Sequence, residues 1–337
     1  MRRFVGSICF AIWASLASAQ GDVTVSGSQF VRDGDPWIAE GVTLVGLLAP
    51  GNDTRPAYAA AAKQFGPDLL DEVIEYGADL VRFQVNEGML DPGSPEYDPS
   101  YEEVVLDAVD LSRAKGLTVI LSMRGPLDED RAEPGTLVPS EVTERAWVAF
   151  LDEVGSDKGV MLQVFNENNL RQDTPENWAV WQQTMQGVVD EIRQAGAENV
   201  LLLGGLRAGK FLTDVPAISD PLDEIAYAIH PYFVRMNRRP KQWQRNWGEF
   251  ARTHPVMATE WNALSNRPAQ CDQDIPENTE RFLAYLRELR IGLVLWAFDL
   301  PGVRRPNGDL SSLEGHECGP GTRFGAGEVV QDYFQAN

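Results

Sequence analysis

The feature that most constrains the fold of this chain is a repeated alternation of short apolar runs with amphipathic stretches. The runs are rich in Val, Ile and Leu without regular polar alternation, which is typical of parallel strands covered on both faces. They span residues 38–47, 78–85, 117–123, 160–165, 200–206, 225–230, 256–260 and 293–298. Eight such strands with helices between them predict an α/β fold, a single (β/α)8 TIM barrel.

Helical patterns fill most of the gaps between these runs. Amphipathic spacing covers residues 67–76, 101–115, 141–154, 176–195, 241–252 and 279–289. No helix is clear after the fifth run, because residues 210–220 form a short stretch that contains Pro216. Upstream, residues 23–34 alternate and turn at Asp33-Gly34, which predicts a short N-terminal β-hairpin across the barrel floor.

The first 19 residues have the layout of a secretory signal peptide. Two arginines precede an apolar run, and small residues at 17–19 have the spacing at which a signal peptidase cuts. The apolar run of about a dozen residues is too short for a spanning helix with a stop signal. A retained membrane anchor is the alternative, and the small residues at the cleavage position argue against it. We expect residues 1–19 to be removed and residues 20–337 to be exported, to a periplasm or to the medium.

Charge and cysteine content narrow the possible partners. The formal net charge of -21 argues against nucleic acids and membrane surfaces and fits a neutral ligand. No phosphate-binding loop, dinucleotide-binding glycine pattern or Ser-His-Asp arrangement is apparent, and we expect no metal and no cofactor. Cys271 and Cys318 remain in the mature chain and suggest one disulfide, with two unrelated thiols as the alternative.

Polar and aromatic residues of functional type lie at or near the ends of five predicted strands. They are Arg82, Asn166, Glu167, His230, Tyr232, Glu260 and Trp296. The C-terminal ends of barrel strands converge on the face that carries the active site. The stretch "MLQVFNENNL" (161–170) is therefore interpreted as barrel wall that ends by holding Glu167 at the mouth.

Two glutamates on facing strands are the residues that glycoside hydrolysis needs. Glu167 and Glu260 end the fourth and seventh strands, and a retaining enzyme places its two carboxyl groups ~5–5.5 Å apart. For either glutamate alone, the alternative is a solvated loop acid. A general acid must begin protonated and a nucleophile ionised, so we expect different surroundings for the two carboxyl groups.

The same residues resemble glycoside hydrolase family 5 of clan A, the family of many cellulases and mannanases. The resemblance rests on "WIAEGVTLVGL", "LVRFQV", "VFNENN", "AIHPYF", "MATEWN" and "VLWAFD", which span nearly the whole mature chain. It implies a retaining mechanism with Glu167 as acid/base and Glu260 as nucleophile. The implied roles of the neighbours are Asn166 on the sugar 2-OH, Arg82 and Tyr232 on the nucleophile, His230 beside the acid/base, and Trp296 under subsite -1.

Two positions depart from the family pattern. Asn168 stands where proline usually follows Asn-Glu, and Met123-Arg124 stands where the third strand often ends in a histidine. Arg124 could contact the sugar or bind an acidic group such as a uronate carboxylate. We favour a salt-bridged loop residue. Trp261 directly follows Glu260 and is a candidate for lining the cleft.

The sequence therefore predicts an exported, monomeric glycoside hydrolase that cleaves β-linked glucan- or mannan-type poly- or oligosaccharides with retention. A non-catalytic carbohydrate-binding barrel is one alternative, and the presence of both glutamates argues against it. A structural protein of the envelope on the same barrel is another. That alternative does not explain why Asn166, His230, Tyr232 and Trp296 are present beside the glutamates.

Overall fold

The computed structural model of the protein describes residues 21–48, 50, 55–126, 133, 135–234, 237–263, 275–304, 309–310 and 325–336. The signal peptide predicted for residues 1–19 lies outside this part of the chain, and so do Cys271 and Cys318. The cleavage site and the disulfide therefore stay predictions. Among the described helices, none combines the length and apolarity that a membrane span requires.

A small antiparallel sheet precedes the barrel. Its strands are β1 (Val23–Ser26), β2 (Gln29–Arg32) and β3 (Asp35–Trp37). The turn at Asp33-Gly34 joins β2 to β3, so the predicted hairpin gains a third strand. Asp33 and Gly34 both have positive φ, which matches the tight turn expected between two strands.

Eight parallel strands form a closed barrel, which confirms the predicted fold class. They are β4 (Glu40–Leu44), β5 (Leu80–Asn86), β6 (Thr118–Arg124), β7 (Val160–Gln163), β8 (Leu201–Gly204), β9 (Ile225–Ile229), β10 (Val256–Trp261) and β11 (Gly292–Leu295). Each strand pairs with its neighbour in the chain, and β11 closes on β4. All eight predicted runs overlap these strands.

The N-terminal sheet closes the floor of the barrel. Phe30 and Trp37 are buried against apolar side chains from the beginnings of the strands. Those side chains include Leu80, Ile120, Met161, Leu202, Ala228, Met257 and Val294. The lower interior is therefore a packed core, and the polar residues of the barrel lie at the opposite end.

Helices cover the outside of the barrel between most strands. They are α1 (Pro56–Gln64), α2 (Pro67–Glu75), α3 (Glu87–Leu90), α4 (Pro99–Ala114), α5 (Glu141–Val154), α6 (Pro175–Gln194), α7 (Leu206–Gly209), α8 (Pro240–Trp243), α9 (Glu249–Ala251), α10 (Ile275–Glu288) and α11 (Gly327–Gln335). A π-helical turn, Gln244–Gly248, joins α8 to α9. After β8 only the single turn α7 is present, where the sequence showed no clear helix.

Local sequence explains these elements. β5, β6 and β10 are buried along their whole length, as expected for strands with the barrel interior on one side and helices on the other. The side chains of Ser140 and Thr174 accept hydrogen bonds from backbone N–H groups of α5 and α6. Such caps satisfy donors that have no partner inside the helix.

A buried aspartate ties two loops together at the mouth of the barrel. Oδ2 of Asp299, in the loop after β11, accepts hydrogen bonds from the backbone N–H groups of Val45 (2.8 Å) and Gly46 (2.9 Å), after β4. Oδ1 is buried and has no hydrogen-bond partner in the described structure. Burial raises the pKa of Asp299 to about 7.

This pKa predicts that stability falls as pH rises. The folded state holds the Asp299 proton up to about pH 7, whereas an unfolded aspartate releases it near pH 4, so the folded state binds more protons between these values. The free energy of unfolding should therefore decrease across this window, by up to about 4 kcal/mol. Chemical denaturation of the wild type and of Asp299→Asn at several pH values measures the effect.

In Asp299→Asn the decrease over this window should become smaller, because asparagine keeps an oxygen for Val45 and Gly46 and does not titrate. Asp110→Asn, on the exposed face of α4, is the matched control and should keep the wild-type slope. Equal slopes for wild type and Asp299→Asn would contradict the assignment.

Candidate active site

The structure brings Glu167 and Glu260 together at the C-terminal end of the barrel. Glu260 lies within β10, and Glu167 follows the end of β7. An oxygen of each carboxylate and a ring nitrogen of His230 lie within 4.8 Å of one another. The two carboxyl groups are thus close enough to act on one glycosidic bond, as the carboxyl pair of a retaining glycosidase does.

Arg82 is the organising residue of the site. It is fully buried, and it has five N–H donors and five acceptors around it. The acceptors are Gln163 Oε1 (2.9 Å), Thr43 Oγ1 (3.4 Å), Glu260 Oε2 (3.2 Å), Ser122 Oγ (2.8 Å) and Asn166 Oδ1 (2.6 Å). Since these acceptors lie on β4, β6, β7 and β10 and just after β7, Arg82 fixes the positions of these side chains relative to one another.

Glu260 is held at both carboxylate oxygens. Oε2 accepts from Arg82 and from Gln84 Nε2, each at 3.2 Å, and Oε1 accepts from the Tyr232 hydroxyl at 3.0 Å. Burial and the neighbouring carboxylates raise the pKa of Tyr232 well above its usual value, so its hydroxyl stays a donor. Glu260 is thus an oriented carboxylate beside a buried guanidinium.

The side chain of Asn166 is held through its amide oxygen. Among the described residues, the hydrogen bonds to its side chain all reach Oδ1, including those from Arg82 (2.6 Å) and Gln84 (3.2 Å). Because a guanidinium only donates, the atom that faces Arg82 must be the oxygen. The Nδ2 hydrogens then remain for a ligand hydroxyl.

Glu167 has different surroundings. Its side chain is 29% exposed, against 9% for Glu260, and Oε1 lies 2.7 Å from Nδ1 of the buried His230. Burial raises the pKa of Glu167, but the charge of Lys210 and the hydrogen bond from His230 outweigh burial and lower this pKa below its usual value. The two carboxyl groups have different surroundings, as the sequence analysis expected. The pKa of Glu167 is lowered, however, whereas a general acid that begins protonated needs a raised pKa.

Trp296 follows β11 at the mouth of the barrel and is partly exposed. It packs against the apolar cluster of Val45, Ala61 and Leu300, and a cis peptide bond links it to Ala297. This place suits a flat apolar platform for a ligand ring.

The prediction that Trp261 lines the cleft is wrong. Its side chain is fully buried, stacks on Phe282 (ring centroids 4.8 Å apart) and meets the edge of Phe233 at 5.4 Å. Successive side chains of a strand point to opposite faces, so Glu260 pointing inward sends Trp261 outward under the helices.

The favoured interpretation of Arg124 as a loop residue is also wrong. Arg124 is the last residue of β6 and is buried. Burial raises the pKa of the Tyr58 hydroxyl, and the charge of Arg124 and its hydrogen bond to that hydroxyl offset part of the rise. The charge of Arg124 also lowers the pKa of Glu167. Arg124 therefore belongs to the polar cluster at the mouth, where a contact with bound sugar stays a prediction.

Two glutamines of the site were missed by the sequence analysis. Gln84 bonds both Asn166 and Glu260, and Gln163 lies between Arg82 and His230. A signal existed for Gln84, because in "LVRFQV" it follows Arg82 by two residues and so faces the same side of β5.

Comparison with known proteins supports the resemblance. Residues 51–300 match the family model described as Cellulase (glycosyl hydrolase family 5). A search of curated protein sequences gives no match.

Solved structures share the fold at low sequence identity. A β-glucanase from Saccharophagus degradans in complex with cellotetraose has a TM-score of 0.70 and 19% identity, covering 94% of each chain. The catalytic domain of an endoglucanase from Thermobifida fusca has a TM-score of 0.64 and 18% identity, covering 94% of this chain and 97% of that one. A β-mannanase from Thermomonospora fusca has a TM-score of 0.61 and 17% identity, covering 86% of each chain. Since the family model spans most of the sequence, the chain belongs to glycosyl hydrolase family 5 and is a glycoside hydrolase.

Proposed function

We propose that the protein cleaves β-linked glucan- or mannan-type polysaccharides or oligosaccharides with retention, using Glu260 as nucleophile and Glu167 as acid/base. The observation that carries this proposal is the pair of carboxylates within 4.8 Å of each other, one clamped and one more open. A nucleophile must be held in line with the anomeric carbon, whereas an acid/base must reach the leaving group and then water.

In the first step, an oxygen of Glu260 bonds to the anomeric carbon while Glu167 protonates the glycosidic oxygen. The bond between the anomeric carbon and that oxygen breaks, and the shortened chain leaves as an alcohol. Arg82, Gln84 and Tyr232 hold the attacking carboxylate. A bound sugar excludes water from Glu167, and this desolvation favours the protonated form that the step requires.

In the second step, Glu167 takes a proton from water as the water oxygen attacks the anomeric carbon. The ester bond to Glu260 breaks, and two inversions give net retention. While Glu260 is esterified it carries no charge, which lowers the pKa of Glu167 and suits its role as a base. In this proposal the Asn166 amide, whose oxygen is bound to Arg82, donates from its nitrogen to the 2-OH, a contact that strengthens in the transition state.

The family and the solved structures with a similar fold support β-glucans or β-mannans as the substrate class. The family model is that of cellulases, and the related structures include a β-glucanase with cellotetraose and a β-mannanase with mannotriose. We also propose that the enzyme is exported, which the layout of residues 1–19 supports.

The test is hydrolysis by the mature chain, residues 20–337, of a panel of β-glucans and β-mannans, with an α-glucan as the control. Release of reducing sugar from at least one β-linked polymer, and none from the α-glucan, is expected. Proton NMR of the first product should show the β-anomer before mutarotation. No hydrolysis on the panel would overturn the function, and an α-anomer as first product would overturn the mechanism.

Replacing Lys210 with methionine should raise the pKa of Glu167, because Lys210 contributes the largest of the effects that lower it. Glu167 then keeps its proton to higher pH, so the alkaline limb of the kcat/KM profile should move to higher pH. Lys241→Met, on an exposed position of α8, is the matched control and should leave the limb in place. A limb that is unchanged or moves to lower pH in Lys210→Met would contradict this electrostatic account.

A further inference from the structure

Gln163, the last residue of β7, is fully buried between two functional residues. Its Oε1 accepts from Nε of Arg82 at 2.9 Å, and its Nε2 lies 3.4 Å from Nε2 of His230. On the other side of the imidazole, Nδ1 lies 2.7 Å from Oε1 of Glu167. The four side chains form a continuous path from the guanidinium to the carboxyl group of Glu167.

The direction of these hydrogen bonds follows from donor chemistry. Arg82 has no acceptor atom, so the Gln163 atom facing it must be the oxygen, and the amide nitrogen must face His230. The Gln163 amide nitrogen only donates; it also lies 3.5 Å from the Asn166 carbonyl oxygen, and the Thr259 hydroxyl, 3.1 Å from Nε2 of His230, can donate or accept. An Nε2 without a hydrogen can accept from both Gln163 and Thr259, and this is the arrangement that leaves no N–H facing another N–H. The single proton of a neutral imidazole then lies on Nδ1, which donates to Glu167.

Neighbouring residues prevent the Gln163 amide from turning over and the His230 ring from rotating. Gln163 cannot turn over, because Arg82 is fixed by Glu260, Asn166 and its other acceptors. The ring of His230 is held at both nitrogens, by Glu167 at Nδ1 (2.7 Å) and by Thr259 at Nε2 (3.1 Å), and its backbone N–H donates to the Gly209 carbonyl at 2.9 Å. Gly209 has φ +71°, and a Cβ there would lie 3.2 Å from Cγ of His230. The glycine is required for the imidazole to sit where it does.

We propose that Gln163 is a positioning residue that keeps His230 neutral, with its proton on Nδ1. His230 then donates to Oε1 of Glu167 and leaves Oε2 as the oxygen that carries the catalytic proton. The groups around the ring act in opposite directions. The N–H of Gln163 opposes a hydrogen on Nε2, whereas the Thr259 hydroxyl offers that hydrogen an acceptor and the carboxylates of Glu167 and Glu260, 2.7 and 3.8 Å from Nδ1, favour a positive charge. The role in catalysis rests on the proposed function of Glu167, whereas the tautomer does not.

Gln163→Glu should reverse this arrangement. A carboxylate at this position can accept from Nε2, so it stabilises a doubly protonated His230, whose charge opposes protonation of Glu167. We expect the alkaline limb of the kcat/KM profile to move to lower pH, and kcat/KM near neutral pH to fall about tenfold. Gln194→Glu, at the exposed end of α6, adds the same charge far from the site and is the matched control.

The direct test is nitrogen-15 NMR of the imidazole rings in the wild-type enzyme. The chain has three histidines, so the His254→Gln and His316→Gln variants assign the signals. For His230 we expect a protonated Nδ1 and an unprotonated Nε2 near neutral pH, and in Gln163→Glu two protonated nitrogens. An Nε2–H tautomer or an imidazolium in the wild type would overturn the proposal without any activity being measured.

The pH profiles of kcat/KM test the positioning role of Gln163, whereas the NMR spectrum tests the tautomer of His230. If the NMR result is as expected but Gln163→Glu and Gln194→Glu have the same pH profile, the positioning role is overturned and the proposed function is untouched. If the wild type hydrolyses nothing on the panel, the proposed function fails, while the NMR spectrum still decides the tautomer. Should Gln163→Glu fail to fold by circular dichroism, Gln163→Met, which removes the donor without adding charge, replaces it. In that variant the Nε2–H tautomer of His230 should become populated, and an unchanged Nδ1–H form would overturn the role of Gln163.

Discussion

Replacing Glu260 with glutamine should reduce kcat/KM by on the order of 10⁴-fold or more, the size of loss found when a covalent nucleophile is removed. An amide cannot form the glycosyl ester, so both chemical steps are lost. The loss should be similar for a polysaccharide and for an aryl glycoside with a good leaving group, because neither substrate supplies a nucleophile. Initial rates with the two substrates measure it.

The variant should also be less stable, because Arg82 is fully buried and loses its anionic partner. Removing one member of a buried ion pair costs about 3–5 kcal/mol. Circular dichroism and chemical denaturation must therefore show that the variant is folded under the assay conditions. Glu288→Gln, at an exposed position on α10, is the matched control and should retain wild-type activity and stability. A folded Glu260→Gln variant that hydrolyses polysaccharide at a wild-type rate would remove Glu260 from the mechanism.

The barrel strands could be predicted because their chemistry is simple. A parallel strand with core on one side and helices on the other is apolar throughout, so each one reads as a continuous run. The run predicted at 293–298 extended too far, since β11 ends at Leu295. Ala297 and Leu300 are apolar because they pack in a cluster at the mouth with Val45, and not because the strand continues.

The charged residues of the site were predictable, as were Asn166, His230, Tyr232 and Trp296, while the two glutamines were not. A carboxylate or guanidinium at the end of an apolar run is expensive to bury without a purpose, so Glu167, Glu260 and Arg82 stood out. Burying a glutamine costs less free energy than burying a charged group, so a glutamine in a strand is a weaker indication of a functional site. Gln163 became recognisable only when the fold put it between Arg82 and His230.

Effects that depend on distant loops were beyond the sequence. Lys210 lies just after α7 and forty-three residues from Glu167, yet its charge is the largest of the effects that lower the pKa of that glutamate. Nothing in the local pattern around either residue connects them. The error at Trp261 has a different origin: adjacency in sequence to Glu260 was taken as adjacency in the cleft, although neighbouring residues of a strand face opposite ways.

Replacing Glu167 with glutamine should lower kcat/KM on polysaccharide by roughly 10²–10⁴-fold, the usual contribution of general acid catalysis. A leaving group as poor as a sugar alcohol needs the proton that Glu167 supplies. An aryl glycoside with a good leaving group does not, so its first step should survive and the glycosyl ester on Glu260 should accumulate. Pre-steady-state release of the phenol followed by slow turnover is the expected signature.

Azide should restore turnover of the aryl glycoside in Glu167→Gln, because a small anion attacks the ester without needing a base. The partial exposure of the Glu167 side chain leaves room for such an anion, and glutamine removes the charge that would repel it. Attack opposite the bond to Glu260 gives a β-glycosyl azide, which NMR identifies. The same azide added to Glu260→Gln should give no β-azide, since no ester has formed. Formation of an α-glycosyl azide in Glu260→Ala, in which the shortened side chain leaves space for the anion, is consistent with Glu260 as nucleophile. The same α-product in Glu167→Ala would instead show that the two glutamates have exchanged roles, and it would contradict the assignment made from their surroundings.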